Sequence, residues 1–138
     1  MNLEDVARET VDCTFRIYRD LGPGLLESVY ETVLFSLLEQ RELQVERQKS
    51  VSFNYSGITF SGGLRVDLLV EGQLVLELKS VENRLPVHSK QVLTYLRLMK
   101  HPLGLLINFG APNFRECVRR IVNNHSDTSS SSLRIHGV

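Results

Sequence analysis

The chain has 138 residues, of which 42% are hydrophobic and 23% charged, and its formal net charge is zero. These values are typical of one soluble globular domain, and they give no overall basic footprint for nucleic acid. No apolar run approaches the roughly 18 residues that span a membrane, and the first ten residues are polar and acidic rather than signal-like. We therefore expect a cytoplasmic protein without a membrane partner.

Two helices are predicted at the start of the chain. The first covers residues 3–20 and ends at "LGPG", because Gly22 suits a left-handed C-cap and Pro23 cannot continue a helix. The second covers residues 24–41, where apolar side chains recur at i, i+3 and i+4 and predict a core-facing surface. The residues of that surface are Leu26, Val29, Tyr30, Val33, Leu34 and Leu37.

Three predicted strands follow directly on one another. β-branched and aromatic residues alternate with polar ones over 43–55 and 58–70, with a turn at residues 56–57, and a third strand covers 73–81. The remaining predicted elements are a helix over 87–100, a buried strand over 102–110 and a helix over 113–124. The expected inward residues of the last helix are Phe114, Cys117, Val118 and Ile121.

The order of these elements predicts a mixed central sheet flanked by helices, in the α/β or α+β class. The order is α-α-β-β-β-α-β-α, with an antiparallel meander and a crossover helix that returns the fourth strand roughly parallel to the third. We expect one domain over residues 1–124 and a disordered Ser-rich tail over 125–138. Cys13 and Cys117 lack zinc-ligand spacing and are expected to be reduced and buried.

The stretch "RVDLLVEGQLVLELKSV", residues 65–81, carries charges inside an apolar hairpin. Because side chains alternate between the faces of a strand, the even positions of both strands should share the core face. These even positions are Leu64, Val66, Leu68, Val70, Leu74, Leu76 and Leu78. The charged odd positions should share the opposite face, and they are Arg65, Asp67, Glu77 and Lys79.

The turn after Val70 decides whether two acids face each other. A two-residue turn would pair Asp67 with Leu76, whereas an odd loop or a bulge pairs Asp67 with Glu77, and we predict the odd register. Facing like charges destabilise a sheet by up to about 1 kcal/mol. Either neighbouring cations offset that cost on a solvated face, or the acids hold Mg²⁺ or Mn²⁺, which prefer oxygen ligands.

The charged residues of this hairpin resemble the motif of the PD-(D/E)XK nuclease superfamily. Asp67, Glu77 and Lys79 form D-x(9)-E-x-K on two neighbouring predicted strands. The residues before Asp67 are Arg65 and Val66, so the proline of the motif is missing. The spacing alone has low specificity.

A more specific match lies upstream, in "LGPGLLESVYE". Gly24, Glu27 and Tyr30 are spaced G-x-x-E-x-x-Y, which resembles the GxxExxY protein family, a predicted branch of the same superfamily. Further stretches that resemble this family are "GLRVDLLVEG", "LELKSVE", "LPVHSKQVLTYLRL", "LGLLINFGAP" and "RRIVN". The resemblance covers residues 5–123, and no role is carried over to Tyr18, which stands where relatives often have histidine.

The resemblance implies a site with named roles. The implied metal ligands are the carboxylates of Glu27, Asp67 and Glu77 and the backbone carbonyl of Leu78. The implied catalytic residues are Asp67, Glu77, Lys79 and Gln91. Gln91 and Tyr95, on the helix after the third strand, are implied to lie near the substrate phosphate.

The position of Glu27 on its helix agrees with such a role. On a helical wheel Glu27 falls beside Leu34 and Leu38, at the edge of the buried stripe, so we expect a partly buried acid that needs a partner. The helix macrodipole favours an acid in the first turn, but it does not explain this placement.

Other candidate residues have competing interpretations. His88, Gln91 and Tyr95 share one helix face, and for His88 alone a plain polar face is preferred. Tyr30 is expected to pack its ring in the core with its hydroxyl reaching toward the acids and substrate. Arg65 is expected to pair with an acid, with a substrate-phosphate contact as the alternative.

The resemblance implies a Mg²⁺- or Mn²⁺-dependent nuclease whose partner is nucleic acid, with DNA favoured. A non-catalytic module that binds nucleic acid or protein on a nuclease scaffold is the alternative, since the chain is neutral and shows no basic patch. The third interpretation is a small domain whose acids are surface groups. A chain of this size offers little surface to grip duplex, which would make a homodimer useful.

Overall fold

The computed structural model describes residues 1–124, which form three α-helices and five strands. The helices are α1 (Leu3–Leu21), α2 (Glu27–Gln40) and α3 (Pro86–Met99). The strands are β1 (Val45–Tyr55), β2 (Ile58–Val70), β3 (Leu74–Lys79), β4 (Leu103–Asn108) and β5 (Val118–Val122). The Ser-rich tail predicted over 125–138 lies outside the described residues. Within 1–124, no helix combines the length and apolar character needed to cross a membrane.

The segment between α1 and α2 is extended rather than helical. Gly22 has φ +68° and Gly24 has φ +116°, values that favour glycine. Leu26 is also extended, with φ −68° and ψ 147°. As a result α2 begins at Glu27, later than the predicted start at residue 24, and Glu27 occupies its first position.

The five strands form one mixed sheet in the order β1-β2-β3-β4-β5. β1, β2 and β3 make the predicted antiparallel meander, and β4 lies parallel to β3 after the α3 crossover. Helices cover both faces of this sheet. The mixed sheet and the α+β class are therefore as predicted.

The last element corrects the prediction, because residues 113–124 do not form a helix. A single 3₁₀ turn, Phe114–Glu116, leads into β5, which runs antiparallel to β4. Val118 and Ile121 fit helical spacing, but β-branched residues favour a strand and the open edge of β4 supplies backbone partners. The element order is thus α-α-β-β-β-α-β-β.

Two groups of buried side chains pack on opposite faces of the sheet. Leu76 and Leu78 of β3 face α1 and α2, whereas Val75 faces α3. The main residues of the α1/α2 group are Tyr30, Leu34, Leu38, Leu68, Leu76, Leu105, Ile107 and Phe109. Both cysteines are buried and unbonded to each other, as expected. β3 is therefore covered on both faces, so a charged side chain within it, such as that of Glu77, becomes buried.

The parity prediction for β2 is only half right. Leu68 and Val70 join the α1/α2 group, but Leu64 and Val66 join the α3 group. The change of face occurs where Gln48 of β1 has φ +47°, a value that is unusual for a residue other than glycine. The two paired strands are therefore irregular at the same point, where Gln48 of β1 stands between the partners of Val66 and Leu68.

Candidate active site

A three-residue turn sets the register of β2 and β3. Residues 71–73 form the turn, and the backbone pairs run from Val70–Leu74 to Leu68–Leu76. The same register brings Asp67 opposite Glu77. The predicted odd register is confirmed.

Beyond Leu76 the strands are joined through carboxylates rather than through backbone pairs. The Asp67 N–H donates to Glu77 Oε1 at 3.1 Å, and the Leu78 N–H donates to Asp67 Oδ2 at 2.8 Å. Each acid thus accepts a hydrogen bond from the opposite strand. The two carboxylates lie side by side at the point where the strands separate.

Glu77 is the most perturbed acid of this pair. Its residue is only 5% exposed. Burial raises the pKa of Glu77 to about 8, the charge of Asp67 adds to that rise, and the charge of Lys79 opposes it. A carboxyl with this pKa is largely protonated at pH 7 unless a cation joins the site. Strongly shifted groups of this kind cluster at functional sites.

Glu27 lies beside the acid pair, and the residue as a whole is exposed, so the expected partial burial holds only for its carboxyl group. The late start of α2 leaves it at the helix end rather than within the apolar stripe. Its pKa is nevertheless raised, first by loss of surrounding solvent and next by the charge of Asp67, with Lys79 opposing. Among residues 1–124, no three His, Cys, Asp or Glu side chains are arranged as a ready metal-ligand set. The structure therefore brings together Asp67 and Glu77, with Glu27 as a neighbour.

Lys79 is the last residue of β3 and is half-buried. Its charge lowers the pKa values of Glu27 and Glu77 and also that of His88, which burial lowers more strongly. Lys79 therefore lies close enough to Glu27 and Glu77 for its charge to affect both carboxyl groups, and its catalytic role stays a prediction.

Tyr95 of α3 packs on the face of the sheet that Val75 shares, by alternation, with Glu77. Gln91 Nε2 donates to the Tyr95 hydroxyl at 3.0 Å. The pKa of Tyr95 is raised by burial and then by the charge of Glu77, while Arg65 opposes the rise. Tyr95 and Gln91 therefore form one hydrogen-bonded unit beside the acid pair.

His88 and Arg65 behave differently from each other. His88 Nδ1 accepts the Leu85 N–H at 3.2 Å, so it caps the start of α3, in keeping with the plain helix-surface interpretation. The expected ion pair of Arg65 with an acid is wrong for the described residues, because Arg65 has no such partner among the ion pairs there. Arg65 is exposed, so its guanidinium is open to solvent. Its positive charge lowers the pKa of Tyr95.

The predicted role of the Tyr30 hydroxyl is corrected by its contacts. The ring is fully buried and stacks on Phe109 with centroids 4.4 Å apart, as expected for a core residue. Its hydroxyl donates to the Gly22 carbonyl and accepts the Leu25 N–H at 3.2 Å. It does not reach toward the acids, because the loop backbone lies nearer. Tyr30 instead holds the loop that leads to Glu27.

Sequence reasoning missed two residues that complete the site. Glu31 lies one turn after Glu27 and is buried, and its carboxylate accepts from Arg47 at 3.2 Å and from Gln48 Nε2 at 2.6 Å. Gln48 Nε2 also lies 3.4 Å from Asp67 Oδ1. The i, i+4 spacing of Glu27 and Glu31 is a signal that was available, since it places both acids on one helix face. Nothing in the sequence marks Gln48.

The loop after Lys79 is held by two side chains, that of Asn108 in β4 and that of Ser80 in the loop itself. Asn108 Oδ1 accepts the N–H groups of Val81 and Gly110, each at 3.0 Å. Ser80 Oγ donates to the Leu25 carbonyl at 2.6 Å. These bonds leave a cavity of about 360 Å³ between the loop before α2 and the loop after β3. Lys79 therefore ends β3 directly before a loop that side-chain hydrogen bonds hold in place.

Comparison with known proteins identifies the superfamily. The model of the PD-(D/E)XK nuclease superfamily matches residues 4–121, which is most of the chain. The chain belongs to this superfamily. A solved structure described as the crystal structure of SSO0001 is similar over 86% of this chain, with 19% identity and a TM-score of 0.47. This chain covers 55% of that protein's length. No curated protein matches the chain significantly.

Proposed function

We propose that the protein is a divalent-metal-dependent phosphodiesterase that cleaves nucleic acid, with DNA as the favoured substrate. The observation that supports this most directly is the cross-bonded pair of Asp67 and Glu77 at the end of β2 and β3. Membership of the nuclease superfamily gives the pair a chemical context. Lys79, two residues after Glu77, completes the superfamily's charged motif.

The donor set fits Mg²⁺ or Mn²⁺. Two carboxylates are held side by side, and the pKa of about 8 for Glu77 reports uncompensated negative charge and burial. Hard divalent cations take such oxygen ligands, and Mg²⁺ typically uses one or two carboxylates. We assign Asp67, Glu77 and the Leu78 carbonyl as ligands, with Glu27 joining through a change of its exposed side chain. The bound cation would polarise the scissile phosphate and lower the pKa of a water molecule.

The remaining site residues bind and orient the substrate. Lys79 places a positive charge beside the acids, where it can orient the attacking water and stabilise the charge that develops on phosphorus-bound oxygens. Gln91 and Tyr95 hold each other in position and offer polar hydrogens to a phosphate. Arg65, which is exposed and whose charge lowers the pKa of Tyr95, is the proposed second cation for the phosphodiester backbone.

We also propose that the chain belongs to the GxxExxY branch. Its Gly24 has φ +116°, which a residue with a side chain rarely adopts, and Tyr30 bonds the loop on both sides of that glycine. The glycine and the tyrosine together fix the loop from which α2 starts. Glu27, the acid of the motif, is then presented at the first position of α2 beside Asp67.

The direct test is cleavage of DNA and RNA in Mg²⁺ or Mn²⁺. Asp67→Ala and Glu77→Gln should lose at least about 100-fold in rate, the scale seen when a group acting on the transition state is removed. Asp20→Asn, which changes an exposed acid paired with Arg19, is the matched control and should retain full activity. Metal-independent cleavage, or cleavage that survives Asp67→Ala, would rule the proposal out.

A binding module on the same scaffold is the second candidate, supported by the zero net charge and the lack of a complete three-acid ligand set within residues 1–124. Such a module would hold nucleic acid or protein without cleaving it. Calorimetry with Mn²⁺ separates the two candidates. Loss of the heat of binding in Asp67→Ala favours the enzyme, whereas no binding by the unchanged protein near neutral pH favours the module.

A further inference from the structure

Gln48 is the residue of β1 that lies directly across from Asp67. The β1–β2 pairs run from Val45–Val70 to Arg47–Leu68 and resume at Lys49–Val66, which leaves Gln48 facing Asp67. At this point Gln48 has φ +47°. Residues other than glycine, asparagine and aspartate seldom adopt such a value, and it persists only where surrounding contacts maintain it.

The contacts that maintain this conformation are made by the Gln48 side chain. Its Nε2 donates to Glu31 Oε1 at 2.6 Å and lies 3.4 Å from Asp67 Oδ1, so one amide nitrogen stands between two carboxylates. The orientation of the amide is chemically determined, because the opposite orientation would bring its oxygen against two carboxylate oxygens. Glu31 is in turn fixed by Arg47, which bonds its other oxygen through Nε and Nη2.

Gln48 therefore supplies the bond that completes the orientation of Asp67. Asp67 Oδ2 accepts the Leu78 N–H at 2.8 Å, and Oδ1 faces Gln48. One donor on each oxygen fixes the plane of the carboxylate. A donor that orients a metal-ligating carboxylate raises the affinity of the site for its metal.

We propose that Gln48 is a positioning residue, which orients Asp67 for metal binding and is anchored by Glu31 and Arg47. The strained backbone at Gln48 is the conformation that allows its side chain to reach Asp67. The inference deepens the proposed function and rests on it for the metal, but the orientation of Asp67 can be measured without any metal.

Gln48→Gly is the sharpest variant, because glycine accepts φ +47° without strain but supplies no amide. In the unchanged protein we expect calorimetry to give measurable Mn²⁺ binding, and in Gln48→Gly about tenfold weaker binding, the scale for loss of an outer partner. Gln48→Asn, which tolerates this backbone but is one methylene shorter, should weaken binding in the same direction. Ser50→Gly, on the same strand and exposed, is the matched control for placing glycine in β1 and should leave the affinity unchanged.

The second readout is the Leu78 amide in the metal-free protein, followed by NMR. If Gln48 holds the plane of the Asp67 carboxylate, Gln48→Gly should shift the Leu78 N–H resonance and speed the exchange of this amide with solvent. Asp67→Ala should have the same two effects, and Ser50→Gly should have neither. An unchanged Leu78 amide in Gln48→Gly would overturn the inference whatever the metal does. Failure of the unchanged protein to bind Mn²⁺ would instead remove the proposed function, and the Leu78 amide would still decide the role of Gln48.

Discussion

The two ends of the β2–β3 pair are held together by different kinds of hydrogen bond. At the turn end, Leu68, Leu69 and Val70 pair with β3 through the backbone, and their side chains fill the core. At the other end, Asp67 and Glu77 accept hydrogen bonds from the opposite strand's N–H groups. One hairpin can therefore supply both stability and chemistry. The backbone pairs next to the turn fix the register, and farther from the turn carboxylates take the place of backbone acceptors.

The turn end should carry most of the stability. Leu76 is fully buried between the strands and α2, so Leu76→Ala should lower the free energy of unfolding by about 2–5 kcal/mol. Urea denaturation followed by circular dichroism measures this loss. Leu26→Ala, at a residue 73% exposed, is the control and should stay within about 0.5 kcal/mol. A cost for Leu76→Ala as small as that of the control would abolish the contrast between the two ends.

The site end should make the metal-free protein less stable as pH rises. Burial raises the pKa of Glu77 from 4.5 to about 8, so the folded chain binds this proton more tightly than the unfolded chain does. The stabilisation is fully present below pH 4.5 and is lost progressively up to about pH 8, at no more than about 1.4 kcal/mol per pH unit.

Unfolding in EDTA at several pH values should show this loss in the unchanged protein. Glu77→Gln keeps an oxygen for the Asp67 N–H but cannot ionise, so its stability should vary less over the same range. Glu39→Gln, at an exposed acid of α2, should behave like the unchanged protein. Parallel curves for Glu77→Gln and the unchanged protein would contradict the assignment of the buried proton.

The loop after β3 should depend most on the side chain of Asn108. Asn108 is 2% exposed and its Oδ1 accepts from Val81 and Gly110, so Asn108→Ala leaves two N–H groups without that acceptor. We expect a loss of about 1–3 kcal/mol in unfolding free energy and faster hydrogen exchange at both amides. Asn83→Ala, in the exposed part of the same loop, should have little effect. Protected Val81 and Gly110 amides in Asn108→Ala would show that the backbone holds the loop without the side chain.

The sequence carried enough information for the sheet register and for the acid pair. Alternation along residues 65–81 put Asp67 and Glu77 at matching odd positions, and only an odd turn let them meet. The turn signal and the apolar pattern are local properties, which is why they could be interpreted before the structure was known.

Two features depended on distant parts of the chain. Residues 118–122 have helical spacing but a β-branched composition that favours a strand, and the open edge of β4 decided for a strand. Gln48 adopts a conformation that its residue type disfavours, because Glu31 and Asp67 hold its side chain. Such conformations arise from tertiary contacts, and local propensity does not predict them.

The measurement that tests the central claim most directly is paramagnetic broadening of the protein's amide resonances by Mn²⁺. We predict that substoichiometric Mn²⁺ erases the Asp67 and Leu78 amides first, spares the hairpin tip near Tyr55 and the strand β5, and loses this selectivity in Asp67→Ala. Broadening centred elsewhere, or selective broadening that persists in Asp67→Ala, would contradict a metal site at the end of β2 and β3.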